Sequence, residues 1–231
     1  MSPSPPPRQT LLLVLLTVAV AVLSLVGVRL GLSTWLEALG VVTGALCVAL
    51  AVRESVWNFP ATLVNVSAFG VLFLGARLFA DAGLQVVYFG LGLRGWYLWL
   101  HGGAQHTALQ VTHVPRRTAA AVAAFGTVLT LVLWVTLRHI GGSASFFDAL
   151  TTSISLCAQW MLNRKYLQTW YAWIAADLVY IPLYAYKALY LTAILYAVFL
   201  VMCVLGLREW GASWRAHAGR EAHPAPGPVP A

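Results

Sequence analysis

The chain has 231 residues, 60% of them hydrophobic and 9% charged, with a mean hydropathy of +0.79. A soluble domain carries about 25% charged residues, so a soluble globule, a disordered chain and a fibrous repeat are excluded and a polytopic all-α membrane protein remains. The net charge of +7 and pI near 9.7 do not point to nucleic acid, because the basic residues stand between apolar runs and assemble no basic face.

Residues 1–10 are proline-rich with one charge, Arg8, and read as a disordered cytoplasmic tail. The unbroken apolar run 11–28 is followed by no small-x-small cleavage site before Trp35, so 11–30 reads as a retained leading helix. Seven further spans follow the hydropathy at 35–52, 57–76, 82–100, 118–138, 145–163, 168–187 and 190–208, eight in all. His101, His106 and His113 share the longest polar linker, 101–118, and read as solvated side chains. The tail 211–231 reads as disordered. Cys47, Cys157 and Cys203 lie in apolar runs without metal or disulfide spacing and read as small buried hydrophobes.

An even count puts both termini on one side of the membrane. The terminus-side segments carry nine cations, Arg8, Arg53, Arg116, Arg117, Arg164, Lys165, Arg208, Arg215 and Arg220. The opposite loops carry four, Arg29, Arg77, Arg138 and Lys187. The positive-inside rule then puts both termini in the cytoplasm.

The two halves resemble each other at an offset of 111 residues. Glu37-Ala38-Leu39 matches Asp148-Ala149-Leu150, Arg53 matches Arg164, Leu78-Phe79 matches Leu189-Tyr190, Gly95 matches Gly206 and Trp99 matches Trp210. Between Arg164 and Lys187 the second copy reads as shifted by two residues, which pairs Trp57 with Trp170. The repeat units are 35–100 and 145–210, three helices each, with 118–138 as a linker helix that keeps them parallel. Parallel repeats are a transporter plan with the substrate site between them.

Polar groups inside spans are costly and mark sites. Gln159, Trp160 and Asn163 end one span of the second unit. Trp170, Trp173, Asp177, Tyr180 and Tyr184 follow at three- or four-residue steps on the next, one stripe of a helix. Lys187, Tyr190, Thr192 and Tyr196 come after it. The first unit offers Asn58, Asn65, Ser67, Gln85, Tyr88, Trp96 and Trp99. Pro60 and Pro182 lie in equivalent helices and kink them. No Walker A loop, H-E-x-x-H or G-x-S-x-G occurs, and no nucleophile–base pair or metal set, so the expectation is no enzyme, no cofactor and no metal.

At this level the residues become recognisable. Leu78-Phe79-Ala80-Asp81, Leu84-Gln85 and Gly95-Trp96-Tyr97-Leu98-Trp99 resemble the PnuC-type vitamin transporter family. So do Gln159-Trp160, Arg164-Lys165, Trp170, Trp173-Ile174 with Asp177, Tyr180-Ile181-Pro182, Tyr184, Lys187, Leu189-Tyr190-Leu191-Thr192-Ala193, Leu195-Tyr196 and Gly206 to Glu209-Trp210. The match covers about residues 35 to 210. Gln168 departs from it, standing where the family pattern leads to an acidic residue.

The resemblance implies a multi-pass nicotinamide riboside transporter of the bacterial inner or plasma membrane, similar to a doubled SWEET fold. It implies facilitation by alternating access without ATP, trapping of the riboside by a cytoplasmic kinase in NAD biosynthesis, and a homotrimer. The substrate has a cationic aromatic ring, an amide and a ribose, which Trp and Tyr faces, amides and a carboxylate suit. The candidate substrate contacts are Asn65, Gln85, Gln159, Asn163, Trp170, Trp173, Asp177, Tyr184, Lys187 and Tyr196. Sister members carry thiamine or riboflavin, and a non-transporting membrane scaffold is the other alternative.

Overall fold

The computed structural model describes residues 7–77, 79–139, 145–186 and 190–222. Among them eight α-helices run in chain order: α1 (Pro7–Arg29), α2 (Trp35–Val52), α3 (Asn58–Gly75), α4 (Phe79–His101), α5 (Arg116–His139), α6 (Ser145–Asn163), α7 (Thr169–Tyr186) and α8 (Tyr190–Ala222). No sheet forms among the described residues, apart from one isolated bridge between Thr112 and Tyr166. Five helices, α1, α2, α3, α5 and α8, contain stretches long and apolar enough to cross a membrane. The polar residues of the second half concentrate on α6 and α7.

Local chemistry sets the helix ends. Thr34 caps α2: its hydroxyl accepts the Glu37 N–H, and the Glu37 carboxylate accepts the Thr34 N–H at 2.7 Å. At the other end the Ser55 N–H returns to the Leu50 carbonyl and Glu54 turns into the left-handed region, φ 52°. The end of α6 repeats this, with Tyr166 N–H to Met161 carbonyl and Lys165 at φ 51°. Glycine is the usual residue at such a helix exit; here a carboxylate and an ammonium stand there instead.

The helices pack as two groups, α2–α3–α4 and α6–α7–α8, joined by α2 against α8 and α4 against α6. One outer helix lies on the first member of each group, α1 on α2 and α5 on α6. Their outer faces are apolar and open, among them Val14, Val18 and Val22 on α1 and Val128, Val132 and Val135 on α5. An apolar face of this extent fits lipid rather than water.

The contacts between the groups are reciprocal. The Trp99 indole N–H donates to the Leu162 carbonyl at 3.1 Å, and the Trp210 indole N–H donates to the Ala51 carbonyl at 2.9 Å. Phe59 stands edge-on to Trp99 at 5.1 Å and 89°, and Trp170 edge-on to Trp210 at 5.3 Å and 86°. Each residue of one set lies 111 positions from its opposite number. The backbone hydrogen bonds of residues 165, 166, 169, 170 and 172 repeat those of 54, 55, 58, 59 and 61 at the same offset. The two-residue shift expected there is therefore corrected: the partner of Trp170 is Phe59, not Trp57. Tryptophan identity was the wrong guide, because Trp57 is 67% exposed and Trp170 1%.

Two terminal expectations also change. α8 continues through Ala222, past the expected span end at 208 and into the segment read as a disordered tail. The reason is packing: Trp210 is fully buried and Trp214 meets the His113 ring at 4.4 Å. At the start, α1 begins at Pro7, a residue suited to a first helical turn, and the Thr10 hydroxyl accepts from Arg53 at 2.7 Å.

Gly206 lets the Trp170 ring lie against α8, since a Cβ there would come 2.5 Å from it. Gly206→Ala is expected to cost about 1–3 kcal/mol of stability. Gly83→Ala, where a Cβ meets nothing within 4 Å, is expected to be neutral or to stabilise by up to about 1 kcal/mol. Thermal melts of the detergent-purified variants check this, and equal melting temperatures would sink the close-approach account.

Candidate functional site

α6 carries Asp148, Thr151, Ser155, Gln159 and Asn163 at steps of three or four residues, hence on one face. Thr151, Ser155, Gln159 and Asn163 are all buried. A buried polar group is stable only when bonded, and this face is partly self-satisfied. Gln159 Nε2 donates to Asn163 Oδ1 at 3.2 Å, and Asn163 Nδ2 donates across to the Leu91 carbonyl of α4 at 2.8 Å. The Thr151 hydroxyl donates to Phe147 in its own helix at 2.8 Å.

Tyrosines gather around this stripe. Tyr180 of α7 lies beside Thr151 and Ser155, and Tyr88 of α4 beside Ser155. Tyr180 and Tyr184 stack at 5.6 Å, Tyr184 and Tyr196 stack at 5.2 Å, and Tyr180 meets Tyr196 at 4.6 Å. Asp177, one turn from Tyr180, is 4% exposed, and its Oδ2 accepts from the Cys203 thiol at 3.6 Å. A thiol is a weak donor, so this carboxylate keeps acceptor capacity for a cation or hydroxyl. Aromatic faces beside carboxylates suit an aromatic cation.

Among the sequence candidates, Asp177, Tyr184 and Tyr196 meet in this cluster, and Gln159 and Asn163 lie along the stripe. Trp170 sits deeper, in the core. Its indole Nε1 is buried and has no hydrogen-bond partner among the described residues. Trp173 is half-buried against the same core. Asn65 lies apart, its Nδ2 donating to the Gly40 carbonyl of α2 at 2.6 Å. Gln85 lies on α4 with its Cβ near Gly70. Lys187 lies outside the described residues.

Tyr88 and Tyr180, noted in the sequence among the polar residues of the spans, join the site beyond the ten candidate substrate contacts. Asp148, Thr151 and Ser155 join it although the sequence singled out none of them as site residues. Their signal was the spacing from 148 to 163, hidden because Thr and Ser are ordinary in helices, where their hydroxyls bond the preceding turn. Cys203, read as a plain hydrophobe, is buried and also the thiol donor to Asp177.

The first half repeats the acid, Glu37 for Asp148, and a polar group, Gln85 for Tyr196, but little else of this chemistry at the matching positions. Gly40 and Gly44 stand 111 residues before Thr151 and Ser155, and Val66 before Asp177. Phe69 and Phe73 stand before Tyr180 and Tyr184, stacking at 5.8 Å. The Phe69 ring lies so close to Gly40 that a Cβ would meet it at 2.8 Å. The same aromatic stack is thus apolar on one side and hydroxylated on the other.

Gln168 has a different task. Its Oε1 accepts the Val114 N–H at 2.9 Å, and its Nε2 meets His113 Nδ1 at 2.7 Å. Thr112 N–H donates to the Lys165 carbonyl, and Leu167 N–H to the Thr112 carbonyl. An amide supplies the donor and the acceptor that this loop contact uses.

A family model described as nicotinamide mononucleotide transporter matches residues 34–212. The nicotinamide riboside transporter PnuC of Escherichia coli (strain K12) is 26% identical over 213 residues, covering 81% of this chain and 89% of that protein. The riboflavin/roseoflavin transporter RibM of Streptomyces davaonensis is 27% identical over 184 residues, covering 76% and 84%. The crystal structure of the vitamin B3 transporter PnuC has the same fold, with a TM-score of 0.72, 24% identity and coverage of 93% and 94%.

Gln168→Ala is expected to loosen the loop before α5. Limited proteolysis of the purified protein should cut within 102–115 faster, by roughly fivefold for a lost contact of about 1 kcal/mol. Unchanged cleavage would remove Gln168 from this role.

Proposed function

The chain belongs to the nicotinamide mononucleotide transporter family, and from that premise we propose that it carries nicotinamide riboside across the bacterial inner membrane. The observation that supports this substrate is the tyrosine cluster of Tyr180, Tyr184 and Tyr196 with Asp177 beside it. The faces of the three rings suit the cationic pyridinium. Asp177 opposes its charge, and the hydroxyls and amides of Thr151, Ser155, Gln159 and Asn163 suit ribose and carboxamide. Trp170 offers a free indole N–H deeper in the path, and Trp173, Asn65, Gln85 and Lys187 stay in the contact set. A phosphate would bring further negative charge toward Asp148 and Asp177, while the buried cation Lys165 is already paired with Glu54 at 3.0 Å. This favours the riboside over the mononucleotide.

The same reading takes all eight helices as spans, because even the 18-residue helices reach about 27 Å against a hydrocarbon core of about 30 Å. It takes α2–α4 and α6–α8 as parallel SWEET-like repeats joined by α5, and both termini as cytoplasmic on the balance of cations. Transport runs by alternating access without ATP, and a cytoplasmic riboside kinase traps the product. The homotrimer rests on family resemblance alone. Riboflavin is the second reading, supported by the likeness to RibM over most of that protein's length.

Detergent-purified protein is expected to melt higher with nicotinamide riboside and not with its 5′-phosphate, thiamine or riboflavin, because a ligand of the native state stabilises it by mass action. Proteoliposomes should take up labelled riboside saturably. A shift with riboflavin alone would transfer the assignment to that substrate. No shift and no uptake with any of the four would leave the scaffold. At the cluster, Tyr180→Phe is expected to keep riboside affinity within a few-fold, while Tyr180→Leu and Asp177→Asn lower it about tenfold or more, as loss of a desolvated cation contact worth about 2 kcal/mol requires. Equal losses for the Phe and Leu variants would take the ring face out of the account.

A further inference from the structure

Glu54 and Lys165 stand 111 residues apart, each just past the end of its group's first helix, and join across the groups with Lys165 Nζ 3.0 Å from Glu54 Oε2. Lys165 Nζ also lies 4.5 Å from the Trp99 ring centre. Both side chains are largely buried. Around them Phe59, Trp99, Trp170 and Trp210 close the space between the groups, none more than 3% exposed. This end also carries Arg53, Arg116, Arg117 and Arg164. The polar stripe of α6 runs toward it and ends at Asn163, two residues before the lysine.

Three observations distinguish this contact from ordinary core packing. Both partners hold a left-handed backbone, φ 52° and 51°, where a side chain is strained and where glycine would sit at ease. Both stand at helix exits, the positions that absorb backbone rotation when packed helices move as bodies. In the same core the buried Trp170 indole N–H has no hydrogen-bond partner among the described residues. Buried polar groups are nearly always bonded, and Glu209 Oε1, near Glu54, is also without a partner among the described residues, so the arrangement leaves groups that a different packing would satisfy.

We propose that the Glu54–Lys165 pair is the gate at the arginine-bearing end of the path, shut in this structure, and that it parts each time substrate passes that end. The proposal rests on the transport reading. The two charges come from matching positions of the two groups, so a rotation of one group against the other separates them directly. The Trp99 and Trp210 indole bonds, made to helix-end carbonyls on either side, set the closed distance. Arg53 and Glu209 lie near the pair and can take up its members when it opens.

The test reads access rather than uptake. A single reporter, Ser155→Cys, is placed in a Cys47→Ala/Cys157→Ala/Cys203→Ser background, and its reaction with a membrane-impermeant maleimide is timed from each side in right-side-out and inverted vesicles. With the open form at about 1–10% in the parent, Glu54→Gln and Lys165→Gln should label about tenfold faster from the arginine-bearing side. The exchange Glu54→Lys/Lys165→Glu should return toward the parent rate. Parent-like labelling in the two Gln variants would overturn the gate and leave a static tie. Should the Gln variants not fold, Glu54→Gly, which removes the carboxylate and relaxes the backbone, replaces them with the same two outcomes. Because labelling needs no vitamin, failure of riboside uptake by the parent would count against the substrate and leave the gate result to stand on its own.

Discussion

Two indole N–H groups, each from the last helix of one group, cap carbonyls at the end of the first helix of the other. Each of these carbonyls already accepts the N–H of its own helix-exit residue, Glu54 to Ala51 at 3.0 Å and Lys165 to Leu162 at 2.9 Å, so the indole adds a second bond to the same oxygen, and a buried indole N–H left bare in an apolar bundle costs about 1–3 kcal/mol. Each half of the molecule thus supplies the acceptor for the other's buried indole, which ties the two halves together at this end. Gly95 and Gly206 are the steric condition for it, because side chains there would collide with Phe59 and Trp170. The Glu54–Lys165 pair adds charge to the same exchange. Removing one partner of a buried pair costs about 3–5 kcal/mol, far more than the pair itself need contribute. A contact of that kind is poor glue and a good two-state element, which is why its strained backbone carries meaning.

With one end joined so symmetrically, function depends on where the halves differ. At matching positions glycine faces phenylalanine in the first half, while threonine and serine lie beside tyrosine in the second. The stack geometry is nearly the same, 5.8 Å against 5.6 Å. The first half uses that stack to press α3 on α2, and the second opens it to hydroxyls, amides and Asp177. One backbone plan thus supports an apolar stack in the first half and a polar one in the second.

Much of this was legible along the chain. The composition excluded water as the main solvent, and the ordered run from Gln159 to Trp210 carried a family resemblance that the model match over 34–212 establishes. The stripe from Trp170 to Tyr184 was visible as helical spacing. Other parts were legible only wrongly. Trp57 and Trp170 are the same amino acid in different environments, and the chain beyond 210 looked like a tail because its hydropathy falls, although Trp214 packs on the His113 ring. Gln168 looked like a departure at a binding motif and is a loop clamp to His113 and Val114.

What the sequence determined by itself was local or additive: the solvent, the helices, the spacing of polar residues on each helix face and the family. Hydropathy and the 3.6-residue period act within a few turns and need no knowledge of neighbours. The tertiary structure alone decided which polar groups meet. Asn65 was turned onto a backbone carbonyl while Tyr184 and Tyr196 were brought to one cluster. Glu54 and Lys165 were set against each other from opposite ends of a 111-residue interval. Those outcomes depend on distances between helices of a few tenths of a nanometre, and side-chain chemistry of this kind acts only at contact.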